Sequence, residues 1–148
     1  MYPAAVPSTE RNLAAMAHLS GIFFPFLGPF CFWLFAAQSR FVRFHSLHAL
    51  VGALLLNLLL FTLGAISIAL SLASLYRNYQ EGWQNFSIWQ ILLKSAVTWL
   101  VIALIGLANT IANVFQARGA FQGDTPQRGL TSAVVRRLLG ESRALSAS

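Results

Sequence analysis

"LHALVGALLLNLLLFTLGAISIALSLASL", residues 47–75, carries no charged side chain. A helix of this length spans about 43 Å at a rise of 1.5 Å per residue, whereas the hydrocarbon core of a bilayer is roughly 30 Å thick. The stretch therefore predicts a transmembrane helix that tilts or begins in the headgroup layer. A further apolar segment at residues 88–117 predicts a second span, so the predicted fold is an all-α integral membrane protein.

The composition of the whole chain agrees with this interpretation. Of its 148 residues, 57% are hydrophobic and 9% are charged, whereas about 25% are charged in a typical soluble domain. So few charges cannot cover a water-facing surface. The formal net charge of +6 could favour nucleic acid, but no basic face with stacking aromatic residues stands clear of the apolar segments. A nucleic-acid partner is therefore not expected.

The first apolar segment, residues 13–37, is interrupted near its middle. Pro25 and the pair Gly28-Pro29 fall there, and proline removes a backbone donor and clashes with the preceding helical turn. The segment is therefore predicted to be broken. It forms either one kinked span or a hairpin that enters and leaves the membrane on the same side. The hairpin places one more basic residue, Arg11, on the arginine-rich side.

Basic residues indicate sidedness, because they are enriched on the cytoplasmic side of a membrane. Arg40 and Arg43 precede the second segment, whereas only Arg77 and Lys94 lie near the connection to the third. The arginines after the third segment are Arg118, Arg128, Arg136, Arg137 and Arg143. The sequence therefore predicts a multi-pass protein of the bacterial inner membrane with a cytoplasmic C-terminal tail. The arginines expected to contact anionic lipid headgroups at the membrane boundary are Arg40, Arg43, Arg136 and Arg137.

The chain becomes more polar after the third segment. The sequence predicts a membrane domain at residues 1–117 and a cytoplasmic, Arg-rich tail at residues 118–148, which begins with the loop "RGAFQGDTPQRG". Leu130, Val134 and Leu138 recur at helical spacing beyond this loop. They predict a short amphipathic C-terminal helix on the membrane surface.

Small and polar residues recur along one face of the two long segments. They are Asn57, Gly64, Ser67 and Ser71 in the second segment, and Asn109 and Asn113 in the third. Small residues let helices approach closely in lipid, and amides inside the membrane need hydrogen-bond partners. These positions therefore predict helix packing, with Asn57 as a partner for the two later asparagines. A polar pore lining is the alternative.

Histidines are the candidates for chemistry. His45 and His48 are three residues apart on one side of a helix, a spacing that can chelate a metal. However, no cysteine or acid lies close in sequence, and a zinc site needs three or four protein ligands. Local hydrogen bonds at the headgroup boundary are the preferred interpretation. The four acids are scattered and no catalytic motif is present, so neither an enzyme nor a cofactor is predicted.

Three motifs resemble a known group of proteins. They are "ERNLAAMAHLSG" at residues 10–21, "GPFCFWL" at residues 28–34 and "FVRFHSLHAL" at residues 41–50. They resemble a family of small prokaryotic polytopic membrane proteins of unknown function, which is similar to the small multi-spanning channel subunit of the chloroplast inner-envelope protein translocon. The resemblance covers residues 10–121 and makes His18 and His45 signature positions of unknown role. The chain departs from it in lacking lysines after Leu34 and in its longer, Arg-rich C-terminus.

Two functions are expected from these features. The first is a non-enzymatic membrane protein that acts as a small subunit or assembly factor of a larger inner-membrane complex, because its helices carry small-residue faces without catalytic groups. Its partners would be anionic lipids and either other membrane subunits or a second copy of the chain. The second is a conduit for proteins or small solutes, as the translocon resemblance implies.

Overall fold

The structure is a computed structural model that describes residues 6–35, 38–83, 86–126 and 129–140. Within these ranges it contains helices, turns and bends but no β-strand. In chain order the helices are α1 (Ser8–Phe23), α2 (Leu27–Phe35), α3 (Arg40–Gln80), α4 (Ile88–Gln122) and α5 (Leu130–Leu138). The all-helical prediction is therefore confirmed for the described residues.

The helices α3 and α4 are the two long apolar elements. They contain 41 and 35 residues and are long and apolar enough to cross a membrane, which confirms the two predicted long helices. Both extend beyond the apolar segments at residues 47–75 and 88–117. At 1.5 Å per residue they measure about 62 and 53 Å, so their ends reach past a hydrocarbon core of roughly 30 Å.

Contacts divide the described residues into two compact units. One, called the terminal unit here, draws on residues 1–55 and 109–148, and the other, the central unit, on residues 56–108. These two units are defined by contacts between residues and not by which residues lie in a membrane. The predicted division into a membrane domain at residues 1–117 and a tail therefore stays a prediction.

The first apolar segment forms two helices. The helix α1 ends at Phe23 and α2 begins at Leu27, so Pro25 lies in the turn between them. Pro29, which was also expected to interrupt the helix, lies instead in the first turn of α2. A proline is tolerated there because the first turn of a helix has no intrahelical partner for its N–H groups.

The helices α1 and α2 pack closely at Gly28. A Cβ atom at this position would lie 2.7 Å from the Cβ atom of Ser20 and 3.0 Å from its backbone carbon. The backbone stays hydrogen-bonded through the turn, since the Gly28 N–H donates to the Phe24 carbonyl at 3.0 Å. The glycine thus permits the close contact, and the turn leaves its amide satisfied.

A hydrogen bond joins two residues that flank the first apolar segment. The Ser39 hydroxyl donates to the Glu10 carboxylate at 2.8 Å. The same hydroxyl accepts a bond from the backbone N–H of Val42 at 3.2 Å, so Ser39 caps the start of α3. The start of α1 is therefore held beside the start of α3.

The end of α4 differs from the prediction of a loop from Arg118 onward. The helix continues to Gln122 because Ala117 and Ala120 are buried and belong to the small core of the terminal unit. Gly123, at φ 91°, then ends the helix, and the Asp124 N–H donates to the Gly119 carbonyl at 2.9 Å. A left-handed glycine with such a bond is a common helix C-terminus.

That core consists of small side chains from three helices. Its buried members are Ala14, Ala15, Val42, Ala117 and Ala120. Side chains of this size let α1, α3 and α4 approach one another closely, which is the usual way in which helices pack in lipid.

The helix α5 packs on the terminal unit through Ser132 and Val135, which are both buried. The predicted apolar stripe points elsewhere: Leu130 and Leu138 are 69% and 64% exposed. The Arg136 guanidinium donates to the Pro126 carbonyl at 3.4 Å. One side of α5 thus packs against the rest of the terminal unit, and the two leucines on its other side remain exposed. The rest of the predicted tail, from residue 141, lies outside the described residues.

Candidate functional site: a buried histidine cluster

The three histidines of the chain meet in the terminal unit. His18 lies on α1, and His45 and His48 lie one turn apart on α3. His18 Nε2 is 3.1 Å from His45 Nδ1, and the ring centroids of His18 and His48 are 5.8 Å apart. The histidine cluster is fully buried at His18 and His45 and nearly so at His48.

Neighbouring aromatic and small residues create this environment. The ring of Phe41 lies 4.6 Å from that of His45 between centroids, and the ring of Phe44 stacks on His48 at 6.1 Å. Ala14 and Ala17, both fully buried, are on the same helix as His18. Their small size lets α1 bring its imidazole to α3, while the phenylalanines exclude solvent from the α3 pair.

His45 also bonds the end of α4. Its Nε2 atom lies 3.0 Å from the backbone oxygen of Asp124. A carbonyl oxygen only accepts, so Nε2 of His45 carries the hydrogen and donates it. In a neutral imidazole the other nitrogen is then an acceptor, and Nε2 of His18 donates to Nδ1 of His45. One set of tautomers therefore satisfies both bonds.

Two amide side chains of α4 complete the surroundings of the cluster. The Asn113 side chain lies beside His18, and the Gln116 side chain lies beside His48. The Nδ1 atoms of His18 and His48 are buried and accept no well-formed hydrogen bond from the described residues. Buried polar groups are usually paired, so these two nitrogens are the unsatisfied part of the cluster.

The histidine cluster links helices to one another through hydrogen bonds. In the described part of the chain, no group of three or more His, Cys, Asp or Glu side chains is placed to hold a metal ion. The imidazole of His45 instead bridges α1 and the end of α4, while its own backbone belongs to α3. Such a bridge fixes the relative position of three segments, because a buried donor or acceptor that loses its partner is costly.

The structure changes the expectation for His45. Local hydrogen bonds at a membrane boundary were predicted for His45 and His48, whereas His45 bonds groups that are 27 and 79 residues away. Neither distance leaves a pattern in the sequence. The only sequence signal was the resemblance, which made His18 and His45 signature positions without pairing them.

Three of the residues predicted to pack helices together form hydrogen bonds within the described chain. Asn113 lies beside His18 and donates to the Asn109 carbonyl at 3.1 Å. The predicted pairing of Asn57 with these asparagines stays a prediction. In the central unit Ser67 donates to Thr98 at 3.4 Å, and Ser71 donates to the Ser67 carbonyl at 2.9 Å.

Gly64 is the packing position that no described residue approaches. A Cβ atom added there would meet no atom within 4 Å. Helix packing at this glycine stays a prediction.

The boundary arginines lie on the terminal unit. Arg40 and Arg137 are exposed, and Arg43 and Arg136 are half-buried. Contact of these four with anionic headgroups stays a prediction.

Residues 9–130 match the family described as "Magnetosome magnetite crystal formation protein family". Neither a curated protein nor a solved structure matches the chain. The match bears out the expectation of a small membrane protein family, and it does not test the similarity to the chloroplast translocon. Since the match covers most of the sequence, the chain belongs to the magnetosome magnetite crystal formation protein family.

Proposed function

We propose that this chain is a non-enzymatic, multi-pass protein of a bacterial membrane that acts as a small assembly subunit in magnetite crystal formation. The family description supports the process. The role as a subunit rests on the uncovered apolar surface of the central unit. The C-terminal tail is proposed to lie in the cytoplasm.

That uncovered surface carries the proposal. In the central unit Phe61, Leu93 and Trp99 are 77%, 68% and 68% exposed. Apolar area left in water costs roughly 25 cal/mol per Å², so these side chains must lie against lipid or another protein. Gly64 lies in the same unit, and its open side would let a further helix approach closely.

The hydrogen bond between Glu10 and Ser39 supports a hairpin for the first apolar segment. The two residues flank residues 13–37, and their side chains are 2.8 Å apart. The ends of a segment that crosses once would be separated by roughly 30 Å of hydrocarbon. The hairpin therefore keeps Arg11, Arg40 and the end of α4 on the same side, which the positive-inside bias makes cytoplasmic.

The helix α5 supports a position of the terminal unit at the membrane surface. Its leucines at positions 130 and 138 are exposed, and the basic residues Arg136 and Arg137 lie in its last turn. A short helix with exposed leucines and arginines binds an anionic interface. The terminal unit would thus lie with α5 against the cytoplasmic leaflet.

A conduit for proteins or small solutes is the second candidate. The observation in its favour is a half-open cleft of about 610 Å³ in the central unit, lined in part by Ser67, Ser71 and Thr98. Polar side chains along an otherwise apolar helix pair can line a path for solutes.

Purification of the full chain from its native membrane in mild detergent tests the two candidates. We expect a defined membrane protein complex to co-purify in fixed proportion, and Gly64→Leu to release the chain from it. Recovery of the chain alone, together with solute or peptide flux in liposomes, would overturn the subunit and support the conduit.

A further inference from the structure

The half-open cleft of the central unit carries two basic side chains. It lies between the C-terminal part of α3 and the N-terminal part of α4, and both Arg77 and Lys94 line it. No acidic residue lines it. Within the described ranges, neither basic side chain forms an ion pair. The cleft therefore presents two positive charges without a counter-ion from the described chain.

Three of the four hydroxyl groups that line the cleft donate inside the protein, and the fourth belongs to Ser74. Ser67 donates to Thr98, Thr98 donates to the backbone carbonyl of Lys94, and Ser71 donates to that of Ser67. Their hydrogens are thus engaged in bonds inside the protein. Arg77 and Lys94 are the charged donors of the cleft, and two cations favour an anion that accepts hydrogen bonds from them.

The depth of the two charges follows from the helix register. The bond between Ser67 and Thr98 places these two residues level with each other. At 1.5 Å per residue Lys94 lies about 6 Å, and Arg77 about 15 Å, from that level toward the connection of the two helices. The charges therefore occupy the outer part of the cleft, one above the other.

The inner part of the cleft has apolar side chains beside the hydroxyl groups that bond inside the protein. Leu70 and Val97 line it near the level of Ser67 and Thr98. A ligand that fills the whole cleft must then combine an anionic head with a hydrocarbon tail. A membrane supplies such a molecule at high local concentration.

We propose that this cleft binds an anionic phospholipid, with its phosphate at Arg77 and Lys94 and an acyl chain along Leu70 and Val97. The site is separate from the boundary arginines of the terminal unit. It also explains why these two basic residues lie near the connection of α3 and α4, against the charge bias of the rest of the chain. The proposal goes beyond the proposed function and does not depend on it.

Native mass spectrometry of the full chain in detergent tests the site. Phosphatidylglycerol and phosphatidylcholine of equal chain length are added separately, and the bound fraction is measured. We expect the wild type to prefer phosphatidylglycerol. Each basic residue near a phosphate is worth about fivefold, so Arg77→Gln with Lys94→Gln should weaken phosphatidylglycerol binding by roughly 25-fold.

The matched control removes two arginines of the C-terminal part of the chain that are not boundary arginines, as Arg118→Gln with Arg143→Gln. Its binding should stay within about twofold of the wild type if the cleft is the site. Arg77→Lys with Lys94→Arg keeps both charges and should restore binding, which separates a lost contact from a misfolded variant. An equal loss in the control, no preference for phosphatidylglycerol, or full displacement by glycerol 3-phosphate alone would overturn the proposal.

Discussion

The ring of His45 is bonded on both of its nitrogens. It accepts from His18 and donates to the Asp124 carbonyl, and the two imidazoles have no water as an alternative partner because both rings are fully buried. Replacement of this ring therefore leaves the buried Nε2 of His18 unpaired and also removes the bond to the Asp124 carbonyl.

We expect His45→Phe to lower the free energy of unfolding by about 2–4 kcal/mol. Phenylalanine keeps an aromatic ring but is larger than histidine, so the hydrogen bonds are reported by the difference from a matched His-to-Phe control. His48→Phe is the matched control on the same helix, and because Nδ1 of His48 is already unpaired its loss should be about 1 kcal/mol. Unfolding of each variant in detergent, followed by helical circular dichroism, measures the difference. An equal decrease in the free energy of unfolding for both variants would show that the hydrogen bonds of His45 do not stabilise the fold.

Two glycines give a second test for single residues. Gly28→Ala places a methyl group 3.0 Å from the Ser20 backbone carbon, so α2 must move and the loss should be about 1–3 kcal/mol. Gly64→Ala meets open space, and the better helix propensity of alanine should stabilise the isolated chain by up to about 1 kcal/mol. The same unfolding assay compares them. A larger loss at Gly64 would mean that another helix already covers it.

The cluster could not be predicted from the sequence. A spacing of three predicted that His45 and His48 share a side of α3, but hydrogen bonds across 27 and 79 residues depend on how three helices pack. No local pattern carries that information. The resemblance identified His18 and His45 as special positions, and only the fold shows that they bond each other.

At the scale of elements, the apolar pattern predicted the two long helices correctly but did not predict where they begin and end. The uncharged stretch at residues 47–75 lies inside α3, yet the helix begins at Arg40 because Ser39 caps it. The end of α4 was missed because Arg118 looks like the start of a tail, whereas Ala117 and Ala120 are buried. Burial of small residues on a polar-looking stretch is a tertiary effect.

The α1–α2 hairpin leads to a labelling prediction. Single cysteines at Ser8 and Gln38, in a Cys31→Ser background, should react with an impermeant thiol reagent only from the cytoplasmic side, since the segment between them returns to its starting side. A cysteine at Ser87, between α3 and α4, is the control and should react only from the opposite side. Reaction of Ser8 and Gln38 from opposite sides would exclude the hairpin.

For the whole molecule, sidedness depends on the sum of its charges. Arg40→Glu with Arg43→Glu removes about 1 kcal/mol of headgroup attraction for each residue and adds repulsion. The arginines after α4 remain, so we expect part of the protein to insert in the inverted orientation, at lower abundance. Labelling at Ser87 from both sides measures the inverted fraction. Normal insertion at full abundance would show that these two arginines do not set the orientation.

The bond from His45 to Asp124 also has a consequence for biosynthesis. The two residues are 79 positions apart, and at about 5–20 residues per second the ribosome needs roughly 4 to 16 s to make the chain between them. His18 and His45 exist well before their last acceptor does. The nascent protein must therefore wait in the membrane with an incomplete cluster, and a chaperone or insertase that recognises unfinished chains has that interval in which to act.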